Sequence, residues 1–222
     1  MINSKAWNWK MVKDNNNFGN WLEPATESYY LINRWLEEGK VDFLDPGCGL
    51  GRHTIQFAKA GFKTSGFDLS EESIKRTAEY AKKAGVDVEL KIGDMLELPY
   101  KDESFDCIYC RNVISHSDTE GVKRTIAELK RVLRKDGECY MTLGSKESWG
   151  FKQDWPVVDP NTKIRIEDGP ENGIPHFYAD HDLILELFKD FEIIEVTQVE
   201  EFFNKNGKPS TSYHFHVLVK KK

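Results

Sequence analysis

The sequence predicts an α/β fold: a doubly wound, mostly parallel sheet of about seven strands that closes with an antiparallel last strand. Three observations carry this. From Val41 onward, short apolar runs of strand type alternate with amphipathic runs of helix type. A glycine-rich turn, Gly47 to Gly51, joins the first strand to the first helix of that series. The last two apolar runs flank Asn204-Lys205-Asn206-Gly207, whose hairpin-turn chemistry pairs them antiparallel.

A chain of 222 residues buries one sizeable core and is short for two, so residues 1–222 are read as one domain. Its 39% hydrophobic and 31% charged content suits a globular protein, and no apolar run approaches the roughly 20 residues of a membrane helix. The first residues lack the basic-then-apolar pattern of a secretory signal, which predicts a cytoplasmic protein. Cys48, Cys107, Cys110 and Cys139 are too few and too scattered for a disulfide framework. Cys107 and Cys110 fall in one strand-like run, where residues three apart face opposite sides, so no metal or redox pair is expected. A net charge of −6 disfavours an electrostatic grip on nucleic acid.

Each element has a local reason. Val41–Leu44 reads as the first strand, followed by a helix over Arg52–Ala60 that Gly61 stops. After a strand over Lys63–Phe67, Ser70 can cap a helix whose Ile74, Ala78 and Ala81 recur at helical spacing up to Gly85. Val86–Ile92 alternates apolar and charged residues, as an edge strand with one wet face does. Phe105–Cys110 is almost continuously apolar, which places it centrally between helices. Val122, Ile126, Leu129 and Leu133 mark a buried helical stripe, and Gly137 breaks the chain before a strand over Glu138–Leu143. From Gly144 to Asp180 the rhythm fails in a segment rich in Pro, Gly and aromatics, which reads as a long functional loop. A helix over Asp182–Lys189 and strands over Phe191–Val199 and Tyr213–Val219 complete the chain.

The chemistry concentrates at the strand ends. Asp45 closes the first strand, and the glycines beyond it let backbone approach a ligand closely before a helix N-terminus. Asp68 closes the next strand some twenty residues on, where a carboxylate can accept both hydroxyls of an adenosine ribose. Asp94 lies just past the third. In an open α/β sheet the ligand crevice runs along the carboxyl ends of the strands, so these three acids should line one crevice. A nicotinamide dehydrogenase would need Gly-x-Gly-x-x-Gly, but its third glycine position, counted from Gly47, is Arg52.

The stretch from Val41 to Leu143, with Asp45-Pro46-Gly47-Cys48-Gly49-Leu50-Gly51 at its head, resembles the small, type-11 class I S-adenosylmethionine-dependent methyltransferases, a Rossmann-like family. The resemblance implies S-adenosyl-L-methionine as cofactor and S-adenosyl-L-homocysteine as product. It implies that Gly47 and Gly49 pass the methionine part, that Cys48 and Gly51 also contact the cofactor, and that Asp45 helps hold its amino group. Asp68 would take the ribose hydroxyls with Leu69 against the adenine, and Asp94 the adenine amino group with Met95 stacked beside it. Arg111-Asn112 would pass the sulfonium. Val132-Leu133-Arg134-Lys135-Asp136-Gly137-Glu138 resembles the family's Leu-Lys-Pro-Gly-Gly turn, with Lys135-Asp136 in place of Pro-Gly. Pro46 stands where many members carry a small or aliphatic residue.

The methyl group of such a cofactor is already activated, so the protein aligns the attack, excludes water and sometimes removes a proton. His116 falls where small-molecule relatives place a histidine, and is the candidate general base with a near-neutral pKa; a rim or capping histidine is the alternative. The cofactor core is 41–143. The acceptor side is expected from the N-terminal cap segment, 1–40, and the insert, 144–182, with 183–222 as closing helix and hairpin. Trp9, Trp21, Tyr30, Trp149, Trp155, His176 and Tyr178 are its candidate contacts, with Trp7, Phe18, Tyr29, Phe151 and Phe177 as further aromatics. His214 and His216 share a strand face without a third ligand, so no metal is expected; His53 is expected at the surface. Gly51-Arg52 also resembles tellurite and thiol methyltransferases, so the acceptor atom is O, N, C, S or a chalcogen. The expected partner is a small molecule, with nucleic acid disfavoured, no membrane, and a monomer or homodimer. A protein or RNA methyltransferase and a silent adenosyl-binding module are the alternatives.

Overall fold

The computed structural model describes residues 4–12, 21–205 and 208–222. Before the sheet comes helix α1, Thr26–Glu37. The sheet is then wound from β1 (Asp42–Pro46), α2 (Arg52–Lys59), β2 (Lys63–Asp68), α3 (Glu71–Ala84), β3 (Glu89–Ile92), β4 (Phe105–Cys110), α4 (Thr119–Val132) and β5 (Leu133–Ser145). Short strands β6 (Val157–Asp159), β7 (Thr162–Ile164) and β8 (Pro175–Ala179) follow, then α5 (His181–Leu187), β9 (Phe191–Lys205) and β10 (Lys208–Lys221). The strand order β3-β2-β1-β4-β5 continues through β10 to β9, and β10 runs opposite to the other six strands of that seven-stranded path. The sheet class expected from the sequence is therefore present. Among the described residues no helix is long and apolar enough to cross a membrane.

Burial on both faces explains why the central strands are so apolar. On one face Leu31, Ile32 and Trp35 of α1 and Phe57 of α2 cover Phe43, Cys107, Tyr109 and Tyr140. On the other, α4 and α5 bring Val122, Ile126, Leu129, Ile184 and Phe188 over Leu44, Ile108, Cys110 and Met141. Cys107 and Cys110 thus enter opposite cores, as their spacing in a strand requires. Trp35 is fully buried and donates its indole N–H to Glu138 at 2.8 Å, a carboxylate also held by Arg34.

The structure departs from the sequence reading in four places. Residues 86–88 precede the edge strand, and Ile92 at its tip is 56% exposed instead of turned inward. Leu133 is buried as part of β5, not as a fourth turn of the helical stripe, and the break lies within that strand: residues 134–137 bulge opposite Asp106. Asp136 turns the bulge with φ +62°, a left-handed conformation that aspartate tolerates and that the family's glycine adopts freely. His53 is not at the surface: its ring is 5% exposed, lies 4.6 Å from Tyr109 and accepts the Ala25 N–H on Nε2.

The fourth departure positions the site. The segment read as a long loop folds into β6, β7 and β8, and Gly144 and Ser145 at the end of β5 pair with Tyr178 and Ala179 of β8. β4 pairs with β5 only as far as Cys110 opposite Met141, so β8 takes up the same side of β5 where β4 stops. That brings the insert directly over the carboxyl ends of the strands. β9 and β10 also pair well beyond the predicted spans, out to Lys205 and Lys208; Asn206 and Gly207 of the expected turn lie outside the described residues.

Candidate active site

β1 ends at Asp45-Pro46, and the chain must then reverse into α2. Gly49 does so at φ +55°, and a Cβ there would lie 2.7 Å from the Trp9 ring, so both the conformation and the space demand glycine. The Cys48 N–H bonds the Phe67 carbonyl at 2.9 Å, which fastens the turn to the tip of β2.

Neighbouring strand tips carry the three acids. Asp45 is 4% exposed, and its Oδ2 accepts from Thr54 N at 2.9 Å and Thr54 Oγ1 at 2.6 Å. Burial pushes its pKa up to about 7, against the Thr54 hydrogen bonds. Asp68 accepts from Gly49 N at 3.0 Å and from Ser70 N at 2.9 Å, and burial raises its pKa also. Asp94 Oδ1 accepts from Leu96 N at 2.9 Å and from Ser4 Oγ at 2.8 Å. Each acid thus does the local work of a turn residue. Asp45 and Asp94 each accept two hydrogen bonds, while Asp68 is met in addition by the Ser73 side chain and the Leu69 N–H. Leu69 is 37% exposed beside Asp68, and Met95 packs partly against the sheet core.

Arg111 and Asn112, expected beside the sulfonium, are otherwise engaged. Arg111 turns towards α1 and the terminal hairpin, bonding Glu27 at 2.6 Å and Glu201 at 3.2 Å. Asn112 takes φ +57°; its N–H donates to Thr142 Oγ1 at 2.8 Å, and that hydroxyl donates to Asn112 Oδ1 at 3.0 Å. Glu27 and Glu201 carried no signal in sequence; only the packing of α1 and β9 on the sheet brings them to Arg111. Of the two histidines on the last strand, His214 pairs with Glu201 at 3.2 Å and His216 Nδ1 lies 2.6 Å from the Tyr140 hydroxyl.

The aromatic residues of the cap segment and the insert meet. Trp7 lies 5.2 Å from Trp9, 5.1 Å from Trp21 and 5.5 Å from His116. His116 lies 5.0 Å from His176, which is 6.3 Å from Trp155 and 6.4 Å from Tyr178, and Trp149 stands edge-on to Trp155 at 5.6 Å. Backbone contacts hold the halves together: Asn8 N donates to the Pro170 carbonyl at 3.2 Å, and Phe177 N to that of Ser115 at 2.8 Å. Tyr30 is not in this group. It is 59% exposed on the outer face of α1, beside Arg34, and Tyr29 is equally open. Phe18 lies outside the described residues.

His116 does not have the near-neutral pKa expected of it. Burial, helped by the Arg165 charge, lowers its pKa to about 4, so the imidazole is neutral through the physiological range. Among the described residues, Trp7 Nε1, Trp21 Nε1 and His176 Nε2 are buried without a hydrogen-bond partner, all within this cluster. Buried polar groups without a partner are uncommon in folded proteins.

Comparisons with known proteins agree with this layout. Residues 43–137 match a family model described as a methyltransferase domain. A sterol 24-C-methyltransferase of Gibberella zeae is 33% identical over 176 residues, which cover 77% of this chain and 44% of that protein. The chain spans less than half the length of the curated relatives it matches first, at 44%, 48% and 30%. Among solved structures, a SAM-dependent methyltransferase of Methanosarcina mazei superposes with a TM-score of 0.70 at 21% identity, covering 90% of this chain and 99% of that one. The 1,6-didemethyltoxoflavin-N1-methyltransferase of Burkholderia thailandensis, solved with S-adenosylhomocysteine, gives 0.62 at 18% identity, over 89% of this chain and 77% of that one. Residues 43–137 thus match a methyltransferase domain, and the chain has the fold of solved S-adenosylmethionine-dependent methyltransferases.

Proposed function

We propose that the chain binds S-adenosylmethionine across the tips of β1, β2 and β3 and methylates a small polar acceptor between the cap segment and the insert. The observation that carries this reading is Asp68: from the tip of β2, where the crevice of such a sheet lies, one carboxylate holds the glycine turn through Gly49. In this reading Asp45 faces the cofactor's ammonium, Asp68 its ribose, Asp94 and Met95 its adenine with Leu69, and Gly47, Cys48, Gly49 and Gly51 its methionine chain. Arg111 and Asn112 act through backbone and position, their side chains being engaged elsewhere. The bound cofactor supplies a methyl group on a sulfonium, which an acceptor lone pair takes as the carbon–sulfur bond breaks.

The chain's own part is alignment and exclusion of water. Trp7, Trp9 and Trp21 roof the glycine turn, while Trp149, Trp155 and Tyr178 wall the insert side. His116, neutral at physiological pH, can accept a proton from the acceptor, and His176 offers a second polar contact. A small acceptor is favoured over RNA by the net charge of −6 and by a site roofed with aromatics instead of lined with Lys and Arg. We place the protein in the cytoplasm, because all four cysteines are free and buried thiols.

Methyl-labelled cofactor, offered with a panel of small hydroxyl, amine, thiol and carbon acceptors and with total RNA, tests the reading. Label in a small product supports it. Label in RNA or protein replaces it with the macromolecular reading, and cofactor binding without any transfer leaves a silent module.

A further inference from the structure

We infer that His116, His176 and Glu171 form a binding site for one divalent transition-metal cation of the zinc kind, at the centre of the acceptor cluster. One ring nitrogen from each histidine and a carboxylate oxygen of Glu171 all lie within 4.8 Å of one another. His116 Nε2 and Glu171 Oε1 are 3.9 Å apart, too far for a hydrogen bond. Zinc bonds of about 2.0–2.1 Å set tetrahedral ligand atoms about 3.3 Å apart, so that pair needs to close by only about half an ångström.

Three separate segments supply the ligands: the loop after β4, the loop before β8, and β8 itself. The fold locks them in place. The Phe177 N–H to the Ser115 carbonyl sets the two histidines side by side, and Ile174 N closes the turn at Glu171 with a 3.0 Å bond to its carbonyl. His176 Nε2 is buried with no hydrogen-bond partner among the described residues, so no protein group competes for it. Glu171 Oε2 accepts from Arg165, so a second group already orients the carboxylate, as outer-sphere partners of metal ligands do. Arg165 also pairs with Glu167 at 3.2 Å, so its guanidinium is shared between two carboxylates.

Two imidazoles and one carboxylate are a ligand set that leaves zinc a fourth position for water or substrate. The site's existence is independent of the methyl-transfer reading; its role rests on it. With the metal bound, His116 would act as a ligand and not as the base: a thiol or hydroxyl acceptor held there would lose its proton to solvent and present a thiolate or alkoxide to the methyl carbon. That narrows the acceptor class to sulfur or oxygen nucleophiles.

The full chain, stripped of metal with a chelator, is titrated with Co²⁺ and then with Zn²⁺. One equivalent of Co²⁺ should bind with the ligand-field bands of a four-coordinate site and be displaced by Zn²⁺. His176→Asn and Glu171→Gln should each weaken binding at least tenfold, while His214→Asn leaves it unchanged. S-adenosylmethionine affinity, measured on the same samples, shows that each variant is folded and reports separately on the methyltransferase reading. No stoichiometric binding, or binding that survives the double change His116→Asn with His176→Asn, overturns the site. Metal binding without cofactor binding keeps the site and removes its proposed role.

Discussion

The indole of Trp9 stands over Gly49 so closely that a Cβ on that glycine would lie 2.7 Å from Trp9 Cη2. Gly49→Ala therefore meets two costs, a left-handed φ and a blocked ring. We expect a loss of at least about 1 kcal/mol from the backbone alone, with a further steric part that disappears in a Trp9→Ala background. A double-mutant cycle by urea denaturation should give a coupling of about 0.5–3 kcal/mol; additive losses would mean that the cap segment does not rest on the turn.

Asp45 gives a pH signature. Its folded pKa, about 7, lies above the ordinary carboxyl value because the group is buried. The folded state therefore binds more protons than the unfolded state between about pH 4 and pH 7, and stability falls as pH rises through that window. Asp45→Asn keeps an oxygen for the Thr54 bonds and should remove this slope, while weakening S-adenosylmethionine binding because no charge faces the ammonium. Melting curves from pH 4 to pH 8 decide it, and a slope unchanged in the variant would refute the assignment.

The Glu27–Arg111 pair ties α1 to β4. Arg111 holds the Glu27 carboxyl below its usual pKa, in spite of burial, so the pair stabilises the fold above that range and its contribution fades as pH falls through it. Glu27→Gln should cost about 1–3 kcal/mol near neutrality, and the gap from the parent should narrow in acid. A gap that widens in acid would reverse the sign of the account.

His116 should show no titration near its ordinary value. Turnover that depends on its neutral form is expected to stay flat as pH falls through 6.5 and to drop only towards about 4. His116→Ala should lower turnover and spare cofactor affinity. A rate profile with an inflection near 6.5 that vanishes in the variant would show that burial does not govern this imidazole.

What could be read in advance follows from how local each cause is. The Asp45–Gly51 turn, the Ser70 cap, whose hydroxyl accepts from Ser73 N, and the opposed faces of Cys107 and Cys110 follow from neighbouring residues, and the structure has them all. The folding of residues 157–179 onto the end of β5 was not legible, because three- and five-residue strands carry too little periodicity to stand out. The position of Arg111 in a motif points it at the cofactor, yet its direction is set by Glu27, far away in the chain. Tyr30 was one aromatic among many; that it faces outward depends on which side of α1 packs, which Leu31, Ile32 and Trp35 decide. The meeting of His116 with Glu171 and His176 required the insert to fold first.

Calorimetric titration of the parent chain and Asp68→Ala with S-adenosylmethionine and S-adenosylhomocysteine tests the central claim most directly. One site should bind both ligands in the parent, weakened by roughly 1–3 kcal/mol in the variant, the scale of hydrogen bonds to a charged partner. Equal affinity in the two proteins, or no binding in the parent, would contradict it.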